Sequence, residues 1–257
     1  MPENLIIPSV DLRIGALEEY NRRQKEKALQ QQKGAKPRPC VTLSREFGCE
    51  GYPVAERLLK LMMEQTGDQW VLIDKDVLDE VANRHHVSRE ILEALGTKNR
   101  VLSQVLATFS ERWKTDHEYF ELLCSHIVSL AEQGNVIIVG LGGAIITHHQ
   151  EHCYDFRIFG SREFKINSIC QRMNLPPDKA ADLIEKQQSQ IDRFTREFLF
   201  EDESNPALYD LLFNNDRMGP DFMAQAMADY LLARIAAGPA HKGKKAEKRF
   251  PHPGADV

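Results

Sequence analysis

Nowhere does this 257-residue chain carry an apolar run approaching the ~20 residues of a bilayer-crossing helix, and its N-terminus has no charged-then-apolar leader pattern. These two absences argue against a helical membrane protein and a secreted one, and they lead us to expect a cytoplasmic chain. Cysteine is sparse: Cys40, Cys49, Cys124, Cys153 and Cys170 are odd in number and include no C-x-x-C pair. That excludes a disulfide framework and a structural zinc site, and free thiols suit a reducing compartment. Excess positive charge is missing too, since a net charge of −5 is wrong for a general nucleic-acid binder. There is no internal repeat, and no G-x-G-x-x-G follows a strand with an acid ~20 residues on, which removes a dehydrogenase-like dinucleotide site. Adjacent histidines occur at His85-His86 and His148-His149, but neighbours on a helix point apart and no third ligand follows, so we assign them no metal role.

What is present is a strand, a glycine loop and a helix start at residues 41–58. Val41–Leu43 is a short β-branched run, Gly48 and Gly51 break it, and Pro53 stands where a first helical residue belongs, ahead of Val54, Leu58, Leu59, Leu61 and Met62. Such a turn cradles phosphate, because unpaired backbone N–H groups and the helix dipole converge on one spot. The side chains depart from the common P-loop: counted from Gly48, G-x-x-x-x-G-K-[ST] requires glycine, lysine and a hydroxyl where Pro53, Val54 and Ala55 stand. Cys49 sits where a helix N-terminus lowers a thiol pKa, but Glu50 opposes that shift, so a small loop filler is the simpler reading.

The rest of the chain alternates between strand and helix signals. Trp70–Ile73, Val136–Val139, Tyr154–Phe159 and Tyr209–Phe213 read as strands; the four consecutive apolar residues at 136–139 are typical of a strand buried on both faces. Helical patterns cover 53–65, 75–84, 88–95 (capped by Ser88), 100–132, Ser161 to Met173, Asp178 to about Phe200, and 220–236. This alternation predicts an α/β, doubly wound, mainly parallel sheet of five strands. Residues 1–38 read as a polar, partly helical extension, 39–237 as the main domain, and 238–257, with the basic run 241–250, as a disordered tail. Residues 11–33 lack a broad apolar stripe, which suits a solvated helix or one docked on a partner.

Four segments then carry a resemblance: Val41-Thr-Leu-Ser-Arg-Glu-Phe-Gly, Asp74-Lys75, Asn135-Val-Ile-Ile-Val-Gly-Leu-Gly-Gly-Ala, and Tyr209-Asp-Leu-Leu-Phe-Asn-Asn-Asp. Together they resemble the cytidylate kinase-like family of P-loop proteins over residues 40–235. The resemblance implies a P-loop NTPase-like fold with a helical lid at 161–200. It also implies a phosphotransferase that uses ATP and Mg²⁺ to phosphorylate a nucleoside monophosphate or similar small acceptor. In that setting Gly48, Cys49, Glu50, Gly51, Tyr52, Pro53 and Val54 form the phosphate cradle. Tyr52 either stacks on a base or covers the loop. Arg45 contacts phosphate in place of the Walker lysine, or pairs with Glu46 or Glu50. Asp74 holds Mg²⁺ through water or orients the acceptor, or merely caps the next helix. Asp76, Gly140 and Gly142 fall on the acceptor side, and Arg193 and Arg196 are the lid cations facing the reaction, or part of a solvated face.

Three departures from the family pattern stand out: Glu50 in place of a loop glycine, Leu141 in place of an arginine, and Gln188-Ser-Gln-Ile191 in place of Asp-x-x-Arg. The metal ligands are left unassigned. The alternative to a kinase is a diverged pseudokinase that senses nucleotide or binds a partner.

Overall fold

The structure, a computed structural model, describes residues 9–30, 38–78 and 114–237. Five parallel strands form one sheet: β1 (Cys40–Arg45), β2 (Val71–Ile73), β3 (Val136–Val139), β4 (Cys153–Phe159) and β5 (Leu211–Asn214), in the order β2-β3-β1-β4-β5. Central β1 pairs Cys40 with Val136 on one side and with Cys153 on the other. The helices are α1 (Val10–Gln30), α2 (Gly51–Thr66), α3 (Lys114–Gln133), the single turn α4 (Gly143–Ile146), α5 (Arg162–Met173), α6 (Pro177–Phe198) and α7 (Pro220–Ala237). This is the expected α/β architecture. The expected helix at 88–95, most of 75–84, the start of 100–132 and the tail 238–257 lie outside the described residues.

Strand alternation splits the core into two layers, because successive side chains leave a strand on opposite faces. Val41, Leu43, Ile137, Val139, Phe156 and Ile158 meet Val54, Leu58 and Met62 of α2 and Met223, Met227 and Leu231 of α7. Val136, Ile138, Val71 and Ile73 face the other way, onto α3 and α1. Consecutive apolar residues in β3 are thus required by having helices on both sides.

Helix α1, expected to be solvated or docked on a partner, packs on its own domain. Ile14, Leu17 and Tyr20 of α1 are 1%, 0% and 1% exposed in the same core as β2 and α3, and the Tyr20 hydroxyl donates to the carbonyl of Gly134. The stripe is narrow, one residue per turn, which is enough when the surface it meets is a sheet edge rather than a groove. Each such side chain contributes about 1.5–3 kcal/mol on burial.

β4 carries a second pattern. Tyr154, Phe156 and Ile158 enter the α2–α7 layer, while Asp155 and Arg157 leave on the opposite face yet remain buried. Asp155 accepts from the Thr42 hydroxyl at 2.7 Å, so a polar strip runs between β1 and β4. It ends at the carboxyl edge of the sheet with the Arg157 guanidinium.

Candidate functional site

The connections from β1 and β3 run to opposite sides of the sheet, which opens a crevice at their carboxyl ends, where doubly wound folds bind ligands. Arg45, the last residue of β1, lies in that crevice. A Cβ on Gly51 would come within 2.9 Å of Arg45 Cγ, and one on Gly140 within 2.4 Å of its Nη1, so two glycines make room for stem and head. Gly140 also needs to be glycine for its φ of +74°. Among the described residues the guanidinium makes no hydrogen bond and no ion pair within 4.0 Å. Glu203 and Asp74 act on it only at longer range, and burial, the larger influence, pulls its pKa down. The expected alternative, an ion pair with Glu46 or Glu50, is not formed. Glu46 instead accepts from Lys165 Nζ at 2.8 Å and stands 3.8 Å from Arg157 Nη2.

The loop Gly48–Val54 adopts its turn through Gly48, at φ +101°, above which Lys165 of α5 packs so tightly that a Cβ would meet Lys165 Cβ at 2.8 Å. Helix α2 begins at Gly51, two residues before the expected start, so Pro53 is the third helical residue and not the first. The shift costs no hydrogen bond, because that position's N–H has no intrahelical acceptor in any helix. It does leave Gly51 and Tyr52 as the first-turn donors, with Pro53 removing the third. Several other donors are already occupied: Phe47 N gives to Gln188 Oε1 at 2.8 Å, Cys49 N to Glu46 O at 3.1 Å, and Glu50 N to Asn215 Oδ1 at 2.8 Å. Glu50 is held in place, since its carboxylate accepts from Asn215 Nδ2 at 3.1 Å. Cys49 is buried, and burial first, then Glu46, pushes its thiol up to about 12, which fits a loop filler. Tyr52 has the guanidinium of Arg13 5.9 Å from its ring centre.

Asp74 makes the contacts expected of a helix cap. Its Oδ1 accepts from Val77 N at 3.1 Å, capping the turn at residues 75–78, and its Oδ2 receives Nη1 of Arg13. Both oxygens thus have a protein partner. Asp76 is exposed, 3.6 Å from Arg13 Nη2. The Gly140-Leu-Gly142 turn is corrected: only Gly140 faces Arg45. Leu141 packs on the α1–α3 core, and a Cβ on Gly142 would meet Leu199 Cδ1 at 2.2 Å. Gly142 thus makes room for Leu199 just past the end of α6, while Phe194 and Phe198 pack on the same core, their rings 5.8 and 5.2 Å from that of Phe120.

The lid helix α6 presents Gln188, Asp192 and Thr195 inward, one stripe at helical spacing. Together with Glu46, Arg157, Lys165, Arg196 and residues 201–204 they enclose a polar cavity of about 260 Å³. Arg196 lines this cavity. Arg193 does not: it is exposed and paired with Glu197 at 3.0 Å on the outer face. Sequence reasoning missed Glu46, Arg157 and Glu203. Arg157 is 5% exposed, 3.6 Å from Glu203 and with its guanidinium 5.7 Å from the Tyr209 ring centre, and burial pushes the Glu203 carboxyl up. A charged residue inside the apolar alternation of β4 was the available signal. Arg172 donates to Gly48 O at 2.9 Å and so braces the loop from α5.

Among the described residues no three His, Cys, Asp or Glu side chains cluster as a metal site, so a Mg²⁺ here would take few protein ligands. A nucleotide phosphate fits through Gly51 N, Tyr52 N and the open head of Arg45. Among the described residues no helix is long and apolar enough to cross a membrane.

Comparison with known proteins places this geometry. A crystal structure of an uncharacterized protein from Eubacterium ventriosum superposes with a TM-score of 0.58 at 17% identity, covering 77% of this chain and 99% of that one, and shares the fold. Shikimate kinase from Bacteroides thetaiotaomicron (TM-score 0.38, 16% identity, 76% and 98% covered) is also similar. So is dephospho-CoA kinase from Campylobacter jejuni (TM-score 0.31, 13% identity, 76% and 97% covered). No curated protein matches the sequence. The sequence model of the cytidylate kinase-like family matches residues 40–217, more than half of the chain, and the chain therefore belongs to the cytidylate kinase-like family.

Proposed function

We propose that this chain is a nucleotide-dependent phosphotransferase that moves the γ-phosphate of ATP onto a nucleoside monophosphate or a similar small acceptor. The observation that carries the reading is Arg45: a guanidinium in the crevice between β1 and β3, seated on two glycines and bonded to nothing among the described residues. A cation kept there without a partner is costly, and a phosphate would satisfy its donors. Phosphoryl transfer asks a protein mainly to hold phosphates in line and to neutralise the charge on the moving group. Gly51 N and Tyr52 N would cradle the phosphate chain. Arg45 would take the part of the missing Walker lysine, and Lys165, Arg157 and Arg196 would border the transferred group from the cavity side. Mg²⁺, when bound, would neutralise phosphate charge while keeping most of its water and few protein ligands.

A second reading, a nucleotide-sensing or partner-binding module without turnover, is favoured by the occupied Phe47 and Glu50 amides and by apolar Leu141. Calorimetric titration of the full chain with Mg-ATP, Mg-GTP and CMP separates the two. Mg-ATP binding with a Kd below ~1 mM, followed by phosphotransfer to an acceptor panel, supports the enzyme. Binding of no nucleotide overturns it and supports the module.

A further inference from the structure

Arg13 lies outside the family-matched segment, on α1, yet stands at the crevice. Its side chain is 8% exposed. Nη1 bonds to Asp74, Nη2 is 3.6 Å from Asp76, and the guanidinium carbon is 5.9 Å from the centre of the Tyr52 ring. A guanidinium has five N–H donors. Among the described residues only the one from Nη1 to Asp74 makes a hydrogen bond, and Nε is buried with no acceptor. A strut that only fixed α1 to Asp74 would leave no reason to bury that donor unsatisfied. The pattern is directional: Nη1 is fixed by the protein, while the opposite edge, Nε with Nη2, faces no acceptor at bonding distance. That edge is one of the two by which arginine grips carboxylate or phosphate with paired hydrogen bonds. Asp76, 3.6 Å from Nη2, is 68% exposed and can turn to water.

We propose that α1 delivers Arg13 as an acceptor-binding residue, whose Nε–Nη2 edge receives an anionic group, a phosphate monoester or a carboxylate, beside Tyr52. Asp74 bonds the other branch of the fork and, as a carboxylate beside it, competes electrostatically with the incoming anion. The word acceptor rests on the phosphotransferase reading; the binding of the anion does not.

Calorimetry on the full chain tests this with three probes: CMP for the monoester, malate for the carboxylate and cytidine as the uncharged control. The wild type is expected to bind CMP or malate, whichever source is right, and cytidine at least tenfold more weakly. Arg13→Met should lose at least tenfold in affinity for that anion, with the Kd for Mg-ATP changed less than twofold. Asp74→Asn removes the competing carboxylate and leaves the cation, and its amide oxygen can keep the cap to Val77 N, so it should bind the anion at least as tightly as wild type. A purely structural pair would instead lower the thermal midpoint in both variants and leave anion affinity alike. If Arg13→Met does not fold, Arg13→Lys keeps the charge beside Asp74 and loses the fork, and the same tenfold loss is expected. Absence of binding of either anion to the wild type at about 10 mM, a free energy near −2.7 kcal/mol, overturns the proposal. So does equal affinity in wild type and the Arg13 variant. Failure of Mg-ATP to bind, with anion binding intact, would sink the phosphotransferase reading and leave the Arg13 site standing.

Discussion

Replacing Arg45 with methionine should make the protein more stable and worse at binding nucleotide. The structure gives both signs. The arginine stem packs against Gly51, where a Cβ would meet its Cγ at 2.9 Å and its Cδ at 3.0 Å, and methionine reaches about as far along the same path. The head makes no hydrogen bond or ion pair among the described residues, so the ligand-free protein loses no bond with it. What it loses is a desolvated charge, whose removal is neutral or stabilising by about 1–4 kcal/mol when an apolar side chain fills the space. At the low end, ~1 kcal/mol raises the midpoint of a chain this size by roughly 2–4 °C. With nucleotide present, the same change deletes a charge-assisted contact of about 1.5–3 kcal/mol, a ten- to hundredfold loss in affinity for Mg-ATP. Differential scanning fluorimetry without ligand and calorimetry with Mg-ATP read the two effects separately. Gly140→Ala is the companion variant: its Cβ would displace the guanidinium, and its φ of +74° costs about 1–2 kcal/mol in a non-glycine residue, so it should lower affinity and stability together. A midpoint that falls by several degrees in Arg45→Met would make Arg45 a structural residue. An unchanged Kd for Mg-ATP would remove it from the site.

Leu17→Ala, which hollows the fully buried seat of α1, should cost about 2–5 kcal/mol in urea titration; a loss under 0.5 kcal/mol would mean that α1 does not belong to the core. Cys49, buried and with its thiol pushed up to about 12, should react with iodoacetamide at about pH 8 much more slowly than partly exposed Cys170. Equal labelling of the two in peptide mass spectra would contradict the loop geometry. Burial raises the Glu203 carboxyl above its ordinary range, so the stability linked to it is present below that range and lost as pH climbs through the raised value. Glu203→Gln should therefore gain on wild type between about pH 4 and pH 7.5; a gap that stays constant or narrows would mean that Arg157 outweighs the burial.

Four consecutive apolar residues at 136–139 and the strand-helix alternation were enough to fix a doubly wound parallel sheet, because backbone period and burial on two faces are local requirements that each segment states for itself. Helix ends were less legible: Pro53 tolerates several early positions, so it did not mark the first residue of α2. What the side chains do at the site was decided by contacts between distant positions. Gln188 reaches Phe47 across 141 residues, Asn215 reaches Glu50 across 165, and Arg13 reaches Asp74 across 61. Nothing local to Asp74 announced that Arg13 would stand against it. Arg193 and Arg196 looked equivalent until α6 was rotated against the loop, one outward and one inward. The α1 stripe was too narrow to declare its partner. Local sequence states which groups are available and how each segment prefers to fold. Whether a charge is paired, open or buried depends on the groups that the packed layers bring within a few ångströms of it, and only the tertiary structure supplies those.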